Sequence, residues 1–161
     1  MRAEVRSGTP ANDATVAEHY LAIWRSYGTS QEHFRDDALD VTLAFIRHAR
    51  ARLGLGTFLA FLDGEVAGSA ACNLQIPTDP EVIRPEIRRH GYIWSVYVDP
   101  RFQHRGIGRA LVNRAVGHLR EIGCHKAVLH ASDAGIRLYE QAGFSLATEM
   151  RLPLVEDASD G

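Results

Sequence analysis

The residues best placed to do chemistry lie in one run, Val96-Tyr-Val-Asp-Pro-Arg-Phe-Gln-His-Arg-Gly-Ile-Gly-Arg-Ala-Leu111. Tyr92 to Val98 is aromatic and β-branched, which reads as a buried strand, and Asp99-Pro100 stops it. A helical period then starts at Gly106, so two glycines fall in the first turn of a helix. Unpaired N–H groups at a helix start, with the positive end of its dipole, bind anions, and glycine lets a ligand approach the backbone. Arg101, Arg105 and Arg109 add positive charge beside it. Two nucleotide motifs are excluded by spacing. A Walker A loop needs Gly-Lys-Ser/Thr where Gly108-Arg109-Ala110 stands, and a dinucleotide fingerprint needs a third small residue where Leu111 stands.

The elements that must hold this run follow from caps and periods. Asp13 suits a helix start, with Val16, Ala17, Leu21 and Trp24 as its apolar stripe and Gly28 as its stop. Thr29 and Glu32 have capping-box spacing for a second helix through about Leu53, ended by Gly54. Thr57 to Leu62 and Glu65 to Gln75 read as a hairpin turned by Asp63-Gly64. The proline-punctuated stretch from Ile76 to Gly91 reads as a loop. After the strand from Tyr92 to Val98, a helix from Gly106 to Ile122 carries Ile107, Leu111, Ala115 and Leu119 on one face. Cys124 to Ala131 is a further strand, Asp133 to Ala142 a short helix, and Phe144 to Val155 one or two last strands. Residues 1–155 therefore read as one α/β domain, and residues 156–161 as a frayed tail.

Composition narrows the function classes. A chain of 161 residues, 45% hydrophobic, has room for one sizeable core. A net charge of −2 argues against a nucleic-acid backbone or an anionic membrane as main partner. No apolar run approaches a membrane span and the first twelve residues lack a signal peptide's apolar segment, so the expected location is the cytoplasm. Cys72 and Cys124 lack metal or disulfide spacing and read as buried thiols. The eight histidines form no HExxH, so no metal is expected. Asp99 reads as the cap of the turn before Pro100.

Two motifs together carry a resemblance. Gln103-His104-Arg105-Gly106-Ile107-Gly108 resembles the Q/R-x-x-G-x-G/A pyrophosphate loop of the GNAT superfamily of N-acetyltransferases. Leu129-His-Ala-Ser-Asp-Ala-Gly-Ile-Arg-Leu-Tyr-Glu-Gln-Ala-Gly-Phe144 resembles that family's later strand and A-x-x-x-Y-x-x-x-G-F helix, with Tyr139, Gly143 and Phe144 in their places. Ser132 and Gly135 stand where many members carry Asn and Ala. The resemblance implies a single-domain GNAT fold, a mixed sheet of six to seven strands with about four helices, splayed between the two central parallel strands. It further implies transfer of acetyl from acetyl-CoA to a primary amine of a small-molecule or peptide acceptor.

In such a fold pantetheine lies in the splay like an extra strand. Backbone of Val96, Tyr97 and Val98 would orient its amide and thioester, and Gln103, His104, Arg105, Gly106, Ile107, Gly108 and Arg109 would hold the pyrophosphate, with Ser132 nearby. Tyr139 lies about 100° round its helix from the apolar Ala134, Leu138 and Ala142 line, so its hydroxyl points away from the core as the expected general acid for the leaving thiolate. The family's frequent glutamate, four residues before the Val-Asp-Pro valine, is Trp94 here, which leaves Glu149, His130 or a strand-bound water as base. Tyr92, Trp94 and Trp24 either line the acceptor pocket or pack in the core. The rival reading is an acyl-CoA sensor or scaffold without turnover. A homodimer is expected from family habit and the frequency of two-fold assembly.

Overall fold

The computed structural model describes residues 2–77 and 79–155. The elements run β1 (Glu4–Ser7), α1 (Asp13–Ser26), α2 (Ala38–Arg52), β2 (Gly56–Leu62), β3 (Glu65–Gln75), β4 (His90–Val98), α3 (Ile107–Glu121), β5 (Lys126–Val128) and α4 (Ile136–Gln141). The five strands lie in chain order, β1 to β5, in one sheet. The first three neighbours pair antiparallel and β4 pairs β5 in parallel. None of the described helices is long and apolar enough to cross a membrane.

Each sheet face buries its own core. On one side α3 lays Ile107, Leu111, Ala115 and Leu119 against Phe58, Ala60, Ala70 and Ile93, the stripe that its 3.6-residue period anticipates. On the other, α1 and α2 bring Val16, Ala17, Ile46 and Ala49 onto Ala71 and Trp94. The hairpin turns at Asp63 and Gly64, whose φ values of 52° and 84° put both residues in the left-handed region that a type I′ turn needs.

Several sequence expectations are corrected. Among the described residues the sheet has five strands, not six or seven. β1 was not anticipated: four residues at a sheet edge show too little alternation to be read, and the strand is held by its ladder to β2 from Glu4↔Phe61 to Ser7↔Phe58. Phe144 to Val155 forms no strand. Leu146, Met150 and Leu152 alternate along it, yet all three are exposed. Alternation supplies a face and no hydrogen-bonding partner, and β5, three residues long, offers little ladder to extend. The second helix starts at Ala38 after a single 3-10 turn at Gln31–His33, so the spacing of Thr29 and Glu32 caps no α-helix. The expected tail, 156–161, lies outside the described residues.

Asp13 opens α1 from a buried position and forms an ion pair with Arg50 in the last turn of α2. Removing one charge would leave the other half-buried and unpaired. Asp13→Asn is therefore expected to lower stability by about 1–3 kcal/mol, several degrees in thermal unfolding. An unchanged melting temperature would show that the pair contributes nothing.

Candidate active site

The site begins where two strands part. β4 and β5 pair at only three positions, His90↔Lys126, Gly91↔Ala127 and Tyr92↔Val128. Beyond Tyr92, β4 continues to Val98 with β3 on one side and, among the described residues, no strand on the other. The register to β3 also slips, from Ala71↔Trp94 to Ser69↔Tyr97, so β4 carries one extra residue. Ser95 absorbs it with φ 54°, and its Oγ donates to Val16 O at 3.4 Å. A bulge of this kind re-aims the side chains on either side of it. Val96 and Val98 turn to the α3 core, while Tyr97 stacks on His19 of α1 at 4.3 Å between ring centroids. His19 Nδ1 in turn lies 2.7 Å from Ser69 Oγ.

The loop after β4 has two left-handed residues, His104 at φ 62° and Gly106 at φ 75°. Gly106 is the N-cap of α3 and its carbonyl accepts from Ala110 N–H at 3.1 Å. Among the described residues, the backbone N–H groups from Gln103 to Arg109 make no hydrogen bond to the protein. Successive free N–H groups around left-handed residues make a concave anion receptor at the positive helix end. Gln103, His104, Arg105 and Gly106 are all exposed. Arg101 is not free to serve the loop as expected. It is held by Asp99 at 2.9 Å and by Glu65 at 3.1 Å, leaving Arg105 and Arg109 without ion pairs among the described residues. Asp99 does cap its turn, accepting from Arg101 N–H at 2.8 Å, and the Arg101 guanidinium holds its carboxyl below the usual range.

Helix α4 closes the far side. A methyl group added at Gly108 would sit 3.1 Å from Leu138 Cδ2, so α4 rests directly on the first turn of α3. Ser132 O accepts from Gly135 and Ile136 N–H, which starts α4. The ring of Tyr139 lies against Gly135, where a methyl would meet Tyr139 Cε2 at 3.1 Å and Ser132 Oγ at 3.3 Å. Glycine at 135 thus makes room for the tyrosine. Tyr139 also meets Phe144 edge-on at 6.1 Å. Burial pushes its phenol up to about 12, with Tyr27 and Tyr92 close enough to add to the rise.

Other sequence candidates separate clearly. Trp94 is buried between Tyr20 and Phe45, and its Nε1–H donates to Asn73 Oδ1 at 2.7 Å, a core role. Glu149 is exposed and bonded to Arg151 at 2.9 Å, which holds its carboxyl down. His130 lies just past β5, with Nδ1 2.9 Å from Tyr92 Oη. Trp24 sits edge-on between Tyr20 and Tyr27. Burial raises both thiols, Cys72 to about 12, so neither is an activated nucleophile. Tyr20 and Tyr27 were missed, although their i, i+7 spacing around Trp24 marks one aromatic ridge along α1 and its C-cap. Nothing in the sequence signalled the contact of His19 with Tyr97. The cavities seen elsewhere, one of 270 Å³ by Asp13 and Arg50 and one of 180 Å³ by Phe58 and His118, touch none of these residues.

With the geometry in place, comparison with known proteins is direct. Residues 16–144 match the model of the Acetyltransferase (GNAT) family. Glucosamine 6-phosphate N-acetyltransferase of Trypanosoma brucei brucei is 35% identical over 117 residues, 71% of this chain and 76% of that protein. Other curated relatives are longer, and the chain spans less than half of their length. The crystal structure of a GCN5-related N-acetyltransferase from Ralstonia eutropha JMP134 superposes with a TM-score of 0.78 at 30% identity, covering 94% of this chain and 98% of that one. A predicted acetyltransferase with acetyl-CoA from Clostridium acetobutylicum shares the fold, with a TM-score of 0.79 at 22% identity over 98% of this chain and 99% of that one.

The left-handed cap at Gly106 is testable without any ligand. A Cβ there would meet nothing within 4 Å, so the cost of a side chain is purely one of backbone conformation. Gly106→Val should lose about 1–3 kcal/mol, whereas Gly106→Asn, which tolerates the left-handed region, should lose less. Equal denaturation midpoints for the two variants would show that the cap is not left-handed in solution.

Proposed function

We propose that this chain, which belongs to the GNAT family of acetyltransferases and is an acetyl-CoA-dependent N-acetyltransferase, acetylates a primary amine of a small-molecule or peptide acceptor by direct attack in a ternary complex. The observation that carries the reading is the parting of β4 from β5 after Tyr92↔Val128, immediately ahead of a loop rich in free N–H groups. An extended acyl-pantetheine suits the unpaired edge of β4, with backbone of Val96, Tyr97 and Val98 orienting its amide and thioester. The residues from Gln103 to Arg109 suit the pyrophosphate, and Ser132 lies beside the same cleft.

In the reaction the neutral amine attacks the thioester carbon. The C–N bond forms as the carbonyl opens to an oxyanion, which backbone N–H groups of the Val96–Tyr97 stretch stabilise. Collapse restores the carbonyl, breaks the C–S bond and expels the CoA thiolate. Tyr139 meets that sulfur. A phenol pushed up to about 12 keeps its proton throughout the neutral range. Complete transfer to a thiolate of ordinary basicity, about 8.5, runs uphill by several orders of magnitude. Tyr139 therefore assists as a hydrogen-bond donor to the developing charge, with solvent completing the protonation. The catalytic unit spans residues 1–155, works in the cytoplasm and pairs as a two-fold homodimer, which light scattering at micromolar concentration checks.

Acetyl-CoA should raise the melting temperature, since a ligand that binds only the native state stabilises it by mass action. Thiol release should follow with at least one amine of a panel that includes glucosamine 6-phosphate, a polyamine and a peptide N-terminus. Tyr139→Phe keeps the ring and its packing, so donor affinity should survive while turnover falls by about 10²-fold. A fall of less than about threefold, with chemistry rate-limiting, would return Tyr139 to a packing role. A thermal shift with no thiol release from any amine would mark a sensor.

A further inference from the structure

An acceptor amine reaches neutral pH as an ammonium and must lose a proton before or during attack. Trp94, on β4 beside the splay, cannot take it, because an indole N–H is only a donor, here already committed to Asn73. The proton must leave by another route. Two residues upstream on the same face of β4, Tyr92 is the last residue paired to β5, so its side chain stands at the mouth of the splay. Its hydroxyl lies 2.9 Å from Nδ1 of His130, across the line where the strands part. The rings meet edge-on at 5.7 Å between centroids, and His130 is exposed.

Resting on the acetyltransferase reading above, we propose that Tyr92 and His130 form a proton relay, Tyr92 Oη accepting the proton of the acceptor amine while passing its own to His130 Nδ1. The balance is closed. The ammonium N–H breaks, Oη gains that proton and gives up its original one, and Nδ1 becomes N–H on an imidazolium that exchanges with solvent. No charge is left on the phenol. That matters because burial raises the Tyr92 phenol above its ordinary value, which makes a free phenolate an inaccessible base. Imidazole is the side chain that changes charge near neutral pH, and Glu149 lies within electrostatic reach of His130.

Tyr92 is within electrostatic range of Tyr139 on α4, of Tyr20 on α1 and Tyr27 just past its end, and of Arg151 in the segment after α4. Tyr92 is the group that meets the acceptor, and His130 acts through it. The geometry requires one tautomer at rest: Nδ1 bare to accept from Tyr92, and Nε2 carrying the proton.

The test uses the full chain with acetyl-CoA and the best amine of the panel named above. Tyr92→Phe and His130→Gln should each lower kcat/KM by about 10²-fold near pH 7, with donor affinity by calorimetry unchanged. The double variant should be no worse than either single one, since two groups in one relay are lost together. His130→Gln should move the limb on which kcat/KM falls toward acid up to the acceptor amine's own titration, and both variants should approach wild type at high pH, where the amine arrives already deprotonated. Nitrogen-detected NMR should show the Nε2–H tautomer of His130 in the wild-type protein. Additive losses, an unchanged acid limb in His130→Gln, or an Nδ1–H tautomer would each overturn the relay and leave the acetyltransferase reading intact. Thiol release by no amine in the wild-type protein would overturn that reading and the relay with it.

Discussion

The site depends on a single interruption of backbone pairing. β4 keeps its antiparallel ladder to β3 as far as Val98 but leaves β5 after Tyr92. Backbone polar groups require partners, so a half-paired strand in the middle of a sheet persists only where its surroundings over-determine it. Here they do. The α3 core grips Ile93, Val96 and Val98 from one face, and the α1–α2 core holds Trp94 from the other. Ser95, buried at φ 54°, is the residue in between. A left-handed serine costs roughly 1–2 kcal/mol, offset by the packing on both sides of it.

Electrostatics in the cleft follow from the same scaffold. The acidic groups nearest β4 and the segment after α4 are matched locally, Asp99 by Arg101 and Glu149 by Arg151. Burial keeps the phenols of Tyr92, Tyr97 and Tyr139 protonated. The cleft is therefore polar without carrying net negative charge of its own, while the loop at its end presents unpaired N–H groups and two arginines free of ion pairs among the described residues. On the proposed reading such a gradient would sort a ligand end to end: anionic groups at the loop, neutral reacting atoms between the strands.

Much of this was legible because it rests on local chemistry. The left-handed pair Asp63-Gly64, the stop at Asp99-Pro100 and the apolar face of α3 each follow from residues a few positions apart. The motif residues from Gln103 to Gly108 were legible for the same reason. Features that depend on distant partners were not. β1 exists because β2 offers it an edge, and Phe144 to Val155 lacks strand structure because alternation cannot supply a ladder. Arg101 looked available to the loop until Glu65, 36 positions away, was placed against it. The bond between Tyr92 and His130 spans 38 positions and has no sequence signature, since neither residue belongs to a spacing motif with the other.

The free N–H groups from Gln103 to Arg109 are arranged before any ligand arrives, because Gly106 caps α3 and Asp99 pins the turn ahead of it. A receptor that needs no folding spends little entropy on ordering itself at the moment of capture. Its association rate is then set by encounter and long-range attraction, and differences in affinity among anionic ligands appear as differences in how long each stays bound. The opening between β4 and β5, by contrast, is bordered by side chains, Tyr92 and His130 among them. On the proposed reading, capture and discrimination would thus fall to two ends of one strand.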